Sequence, residues 1–238
     1  MRLGSLISIR HCMAVQSYEW KLIRPLGKIQ GVIKSMDDYQ CDELAVIRIT
    51  RGQPQTDSYI RDLSALEICK SNSPLSFGGG IRNANDINKI SKLPIERVVF
   101  SSQLFMSDTS VIQLATDQLG RQAIQGLLPF KYENSQLYFY NCRLRQFEQL
   151  SIAQLDLIDN LCNEIILYDI KNEGYVDKFD FRCLRLINFN LQKIVISGGI
   201  GPNVIKKANA MGLASVLIEN RTLHTEYSIK DLKKYARM

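Results

Sequence analysis

Two stretches of the chain carry the residue types and spacing that bind anions. SFGGGIRN, residues 76–83, and ISGGIGPN, residues 196–203, each follow an apolar run and precede a helical pattern. A strand that ends in glycines lets backbone N–H groups approach an anion with no Cβ in the way, and a following helix N-terminus adds positive potential. Gly78, Gly79, Gly80 and Arg82 form one candidate phosphate cradle. Gly198, Gly199 and Gly201, joined by Asn220 beyond the last strand, form the other. The plainer alternative is a tight strand-to-helix turn. Two such loops about 120 residues apart, at the same place in each half of the chain, favour phosphate binding and imply a small molecule phosphorylated at both ends.

The elements that must hold these loops follow from the apolar pattern. Short β-rich runs at 5–9, 43–49, 74–77, 97–100, 122–128, 164–170, 193–197 and 214–218 alternate with amphipathic stretches. Helices are expected over 57–70, with Ile60, Leu63, Leu66 and Ile68 on one face, over 107–120, over 202–212 with Pro202 at its start, and over 228–236. Alternating strands and helices make parallel βα units, which fit either a doubly wound sheet or a closed (β/α)8 barrel. The glycine loops follow the third and seventh strands, as a duplicated half-barrel would place them, and so favour the barrel. Residues 131–148 read as a small β-hairpin inserted after strand five. No linker interrupts 1–238, so one α/β domain is expected, with the loops at the C-terminal ends of its strands.

Composition narrows the partners. The chain has a net charge of +6, but its basic residues are scattered and it holds one Trp, which argues for small anionic ligands over nucleic acid. No apolar run reaches the roughly 18 residues that span a bilayer, and Arg10 and His11 interrupt the apolar N-terminus, which reads as a first strand. Six cysteines lie far apart with no CxxC pair, as expected of reduced thiols in a cytoplasmic protein. Nothing calls for a metal or a cofactor.

LSFGGGIRNANDI, IVISGGIG and the ending EYSIKDLKKY resemble the cyclase subunit of imidazole glycerol phosphate synthase, over nearly the whole chain. That family is a (β/α)8 TIM barrel, related to the isomerase one step earlier in histidine biosynthesis. The resemblance implies a class I glutaminase partner that releases ammonia at the N-terminal face of the barrel. The ammonia crosses to the far face, where two aspartates act as acid and base on a bisphosphorylated ribulosyl substrate.

The departures from the family pattern fall on that chemistry. Where the resemblance implies an aspartate closing strand one, the stretch LISIRHCMAV places His11 at about that point; where it implies one closing strand five, GRQAIQGLLPF places Pro129. Proline has neither a titratable group nor an N–H. An acidic position on strand two reads Arg48. The loop after strand six reads KNEG, which keeps one carboxylate at Glu173, and Asp169 adds another. Asp169, Glu173 and His11 are the candidate replacement acid–base set, against the alternative that they serve packing and local ion pairs.

The opposite end keeps more of the pattern. The resemblance implies a charged ring at the ammonia entrance, onto which Glu43, Arg97 and Glu164 fall, with Ser5 or Arg2 as the fourth member. It also puts Glu96 and Gln122 at or near the glutaminase interface. Three functions remain open. The first is a barrel that docks a glutaminase and conducts ammonia with altered or absent cyclase chemistry, as in relatives associated with surface polysaccharide (lipopolysaccharide) synthesis. The second is an orthodox cyclase, a lyase of histidine biosynthesis. The third is a barrel without catalysis that binds a bisphosphorylated metabolite.

Overall fold

The computed structural model describes residues 1–49, 57–219 and 228–236. Its strands are β1 (Arg2–Arg10), β2 (Met13–Tyr18), β3 (Leu22–Lys28), β4 (Leu44–Arg48), β5 (Leu75–Gly78), β6 (Arg97–Phe100), β7 (Ile124–Glu133), β8 (Gln136–Asn141), β9 (Gln146–Glu148), β10 (Glu164–Asp169), β11 (Ile194–Ser197) and β12 (Ser215–Glu219). Its helices are α1 (Ile29–Asp38), α2 (Asp57–Glu67), α3 (Ala84–Ile90), α4 (Ser110–Leu119), α5 (Ile152–Leu161), α6 (Pro202–Ala210) and α7 (Ile229–Ala236). Strands β1, β4, β5, β6, β7, β10, β11 and β12 pair in parallel in that order; β12 pairs with β1, and the circle closes through β7 and β10. The eight short apolar runs are thus the eight strands of a closed barrel.

Alternation along each strand sorts its residues. Leu6, Ala45, Val99, Leu127, Ile166 and Leu217 form one buried apolar cluster inside the barrel. A larger cluster, with Leu3, Ile7 and Ile9 from β1, packs between strands and helices. The period of two therefore puts Gly4 and Ser8 on the inner face of β1 with Leu6.

Several elements differ from expectation. Strand β7 runs on past residue 128 to Glu133 and turns back antiparallel onto β8, so the hairpin after strand five is an extension of that strand. A second hairpin, β2–β3, follows β1 and was not expected from the sequence; nor were α1 and α5, whereas α3 is the helix expected after the first glycine loop. Of the apolar positions expected on one face of α2, Leu63 and Leu66 are buried, but Ile60 and Ile68 are exposed. The buried face is built instead on Tyr59, Asp62, Leu63 and Leu66, because the helix must also deliver a carboxylate to the barrel mouth.

The glycine loops are first of all packing devices. Gly79 has φ +101° and Gly198 has φ +88°, in the region L side chains avoid. A Cβ on Gly79 would also collide with the Arg48 carbonyl oxygen, and one on Gly198 with that of Asp169. Gly79→Ala should therefore lose about 2–4 kcal/mol, summing left-handed strain and overpacking. Urea denaturation checks this, and it should hold with no anion present.

Candidate functional site

The N-terminal end of the barrel carries a ring of charge, its two glutamates buried and its two arginines partly exposed. Glu43, just before β4, is 3% exposed and accepts from Arg2 Nε at 3.2 Å and Arg97 Nη1 at 2.9 Å. The Ser215 hydroxyl also donates to it. Arg2 reaches on to Glu164 at 2.5 Å, and Gln125 Nε2 donates to the other Glu164 oxygen at 2.9 Å. Gly4 makes room for this, since a Cβ there would strike the Glu43 backbone and side chain. Glu43, Arg97 and Glu164 are thus brought together at one end of the barrel, linked through Arg2. The open fourth place belongs to Arg2: Ser5 turns its hydroxyl to the Ile218 carbonyl oxygen. The period of two counted back from Leu6 is the signal that selects Arg2. Burial lowers the Arg2 pKa, but its two carboxylates outweigh this and hold it above the ordinary value, so the guanidinium stays charged.

Glu96 and Gln122 lie exposed at this same end. Glu96 Oε2 accepts the Leu75 amide at 2.5 Å, which caps β5, and Gln122 Nε2 donates to the Leu119 carbonyl oxygen at 3.4 Å.

The opposite end opens into a cavity of about 420 Å³. Gly79, Gly80 and Arg82 line it, and Arg48 and Arg143 add two further guanidinium groups. No carboxylate is among its described lining residues. Ser101 and Ser102 line it too, and Ser101 Oγ is buried with no hydrogen bond among the described residues. Arg48 is held by Asp62 at 2.5 Å and by Ser58 at 2.8 Å, and it lies over the Tyr59 ring at 5.1 Å. The serines and Arg143 were not anticipated; no glycine pattern marks them, and Arg143 arrives on the far turn of the β8–β9 hairpin.

One wall of the cavity is Trp20. It sits with Glu19 in the β2–β3 turn, both at positive φ, and the turn closes by Lys21 N–H donating to the Tyr18 carbonyl oxygen at 2.9 Å. Two such residues without glycine cost about 1–3 kcal/mol each. Glu173 offsets that cost: it accepts the Trp20 amide at 2.8 Å, the Ser17 hydroxyl at 3.1 Å and the Tyr168 hydroxyl at 2.5 Å. The Trp20 ring lies 5.5 Å from Tyr168 and 5.9 Å from Tyr140. Burial and the nearby carboxylates push the Tyr168 hydroxyl well above its ordinary range, so it stays a proton donor.

The candidate acid–base set is not assembled at the cavity. Neither Asp169 nor Glu173 nor His11 lines it. His11 is exposed at φ 50° in the turn beyond β1, and the inner residue near the end of that strand is Ser8. The Asp169 carboxylate accepts from Asn172 N–H, Asn172 Nδ2 and Asp180 N–H at 3.2, 2.7 and 3.0 Å, which fastens the loop after β10. Glu173 is the clamp just described.

The second glycine loop departs from its expected role. The Gly199 amide donates to Glu219 Oε1 at 2.8 Å. Asp177 Oδ1 accepts the amides of Asn203 at 2.8 Å and Val204 at 3.1 Å, at the start of α6. Internal carboxylates thus occupy these backbone donors, and Gly198, Gly199 and Gly201 do not line the cavity. Asn220 lies outside the described residues.

Comparison with known proteins places this geometry. The family model described as "Histidine biosynthesis protein" matches residues 11–227. The chain is 25% identical over 224 residues to "Imidazole glycerol phosphate synthase subunit HisF" of Exiguobacterium sp., covering 91% of this chain and 87% of that protein. It is 25% identical over 234 residues to "Putative imidazole glycerol phosphate synthase subunit hisF2" of Campylobacter jejuni, covering 96% and 92%. It is also 25% identical over 218 residues to a HisF of Endomicrobium trichonymphae, covering 90% and 83%.

Two outcomes follow from these geometries. Glu43→Ala strands Arg97 and half of Arg2, and should cost about 1–3 kcal/mol in urea denaturation, short of a fully buried pair because both arginines keep some water. Burial pushes the Asp169 carboxyl up to about 6. With its unfolded value near 3.9, its contribution to stability is full below about pH 4 and is lost as pH rises through about 6. The stability of the protein relative to Asp169→Asn should therefore fall by about 1–3 kcal/mol between pH 4 and pH 7.

Proposed function

The chain belongs to the histidine biosynthesis protein family, and on that premise we propose that it is a HisF-like barrel that docks a class I glutaminase, conducts ammonia and holds a phosphorylated acceptor at its mouth. The observation that carries this reading is the ring of Arg2, Glu43, Arg97 and Glu164 at the N-terminal end. Two buried carboxylates neutralised by half-buried arginines are costly to maintain for stability alone, since well-packed apolar residues of similar volume often do as well. Above it the barrel interior is apolar, with Leu6, Ala45, Val99, Leu127 and Ile166. Such an interior admits neutral ammonia and penalises ammonium. Glu96 and Gln122, exposed beside the ring, are the proposed glutaminase contacts.

At the mouth, Gly80, Arg82, Ser101 and Ser102 are the proposed phosphate site. Ring closure by the family's usual route needs two carboxylates there. The resemblance set them against His11 and Pro129; His11 is turned out to solvent, Ser8 is the inner residue near the end of β1, and no described lining residue is acidic. The reading is therefore an ammonia-delivering barrel whose original cyclase chemistry is lost.

The test is co-expression with a class I glutaminase, followed by size-exclusion chromatography and glutamine hydrolysis assays. A one-to-one complex is expected, burying about 1,200–2,000 Å². Adding the barrel should change the glutaminase rate, and Gln122→Trp should weaken docking without lowering barrel stability. With free ammonia and the usual bisphosphorylated substrate, ring closure should be undetectable. Absence of co-elution together with an unchanged glutaminase rate would overturn the reading.

A further inference from the structure

We propose that a second cavity, held between the two hairpins outside the barrel mouth, is a binding site for a planar aromatic molecule that carries an anionic group, such as a nucleoside monophosphate. The site is separate from the phosphate site at the mouth and from the ammonia-conducting reading, and it stands or falls without either.

The cavity has a volume of about 460 Å³, within the range of small-molecule sites. Three excursions of the chain converge on it. The β2–β3 turn supplies Trp20 and Lys21, the hairpins built on β7, β8 and β9 supply Lys131, Tyr140 and Phe147, and the loop after β10 supplies Lys171. Trp20 is the partition, since it lines both this cavity and the mouth.

The first observation is a continuous aromatic wall. Trp20 meets Tyr140 edge-on at 5.9 Å, and Tyr140 meets Phe147 at 5.1 Å. Trp20 is half-buried and Phe147 is 37% exposed, so both rings have area left to cover a flat ligand. The second observation is the charge at the rim. Lys21 pairs with Glu19 and Lys131 with Glu133, each at 2.7 Å, in pairs that reach water. Exposed pairs of this kind are weak, and a phosphate competes well for their lysines. Lys171 is exposed and forms no ion pair among the described residues. It is near enough to both carboxylates to help: Lys21 chiefly, with Lys171, holds Glu19 below the ordinary range, and Lys131 with Lys171 does the same for Glu133. Three ammonium groups thus face two carboxylates. The surplus repels a cationic ligand and attracts an anion. Lys131 also lies over the Phe147 ring at 4.8 Å, which brings ring and charge to one wall. The third observation is strain. Glu19 and Trp20 both hold positive φ without being glycine, and with Lys21 they are three consecutive lining residues. Backbone strain of this kind clusters at ligand clamps, and here it sets Trp20 across the wall and Lys21 at the rim.

The experiment titrates the full-length protein with adenosine monophosphate, adenosine and ribose 5-phosphate, by calorimetry and by the emission of Trp20, the one tryptophan in the chain. The nucleotide should bind one-to-one and about tenfold tighter than either fragment, because only it uses both the rings and the lysines. Its affinity should fall as salt rises, whereas that of adenosine should not. Phe147→Leu keeps the apolar bulk and removes the ring, and should weaken the nucleotide about three- to tenfold, the size of one aromatic contact. Lys171→Glu alters an exposed side chain and leaves the fold intact; it should weaken the nucleotide about tenfold and leave adenosine unchanged. No binding of the nucleotide, or ribose 5-phosphate bound as tightly, would overturn the proposal. So would nucleotide binding that Ser101→Ala abolishes while Phe147→Leu and Lys171→Glu leave it unmoved, because the ligand would then sit in the mouth.

Discussion

A closed barrel gives every inward side chain a neighbour on the opposite wall, and that constraint governs both ends of this molecule. The β7–β10 pairing that completes the circle leaves the interior no edge and no outlet along the sheet. The middle is filled with aliphatic side chains, so anything polar must gather at the ends and be satisfied there. At the N-terminal end this produces mutual neutralisation, Glu43 holding two arginines and Glu164 holding one of them together with Gln125. At the C-terminal end Arg48, Arg82 and Arg143 line the cavity, while the carboxylates near it, Asp62, Glu173 and Asp169, are tied down behind its wall.

The tying down is done by loops, each fastened by one buried carboxylate. Asp62 holds the Arg48 guanidinium at 2.5 Å and the Cys12 amide at 2.6 Å, linking α2 to the turn after β1. Glu173 holds the β2–β3 hairpin, and Asp169 holds the segment that follows β10. Acidic residues that look catalytic in the sequence thus serve as fasteners. Their donors are backbone amides, hydroxyls, the Asn172 carboxamide and the Arg48 guanidinium, groups that cost stability when buried unpaired.

The strands were the most legible part. Runs such as ELAVIRI and KIVIS are short, apolar and bounded by polar turns, which suffices to place a barrel strand. The β2–β3 hairpin was hidden because its strands carry Pro25 and Gly27 and its turn is Glu19–Trp20, which lacks the usual glycine signal. The resemblance named three of the four charged side chains that meet at the N-terminal end, and strand alternation supplies Arg2. The mouth was read less well. His11 was displaced from the site because β1 continues to Arg10 before turning. At the second loop Gly199 is hydrogen-bonded to Glu219, twenty residues away across a helix and a strand, and no local pattern encodes that contact.

The positive-φ glycines lead to a separate point about inheritance. Gly79 and Gly198 are demanded by neighbouring carbonyl oxygens whether or not an anion is ever bound. A lineage that abandons its ligand cannot easily discard them, because the first casualty would be folding. Such a motif is therefore a record of architecture, retained like the keystone of a doorway after the room behind it has changed use. Side chains that no packing requirement protects, such as those facing the cavity, are where a change of trade is written.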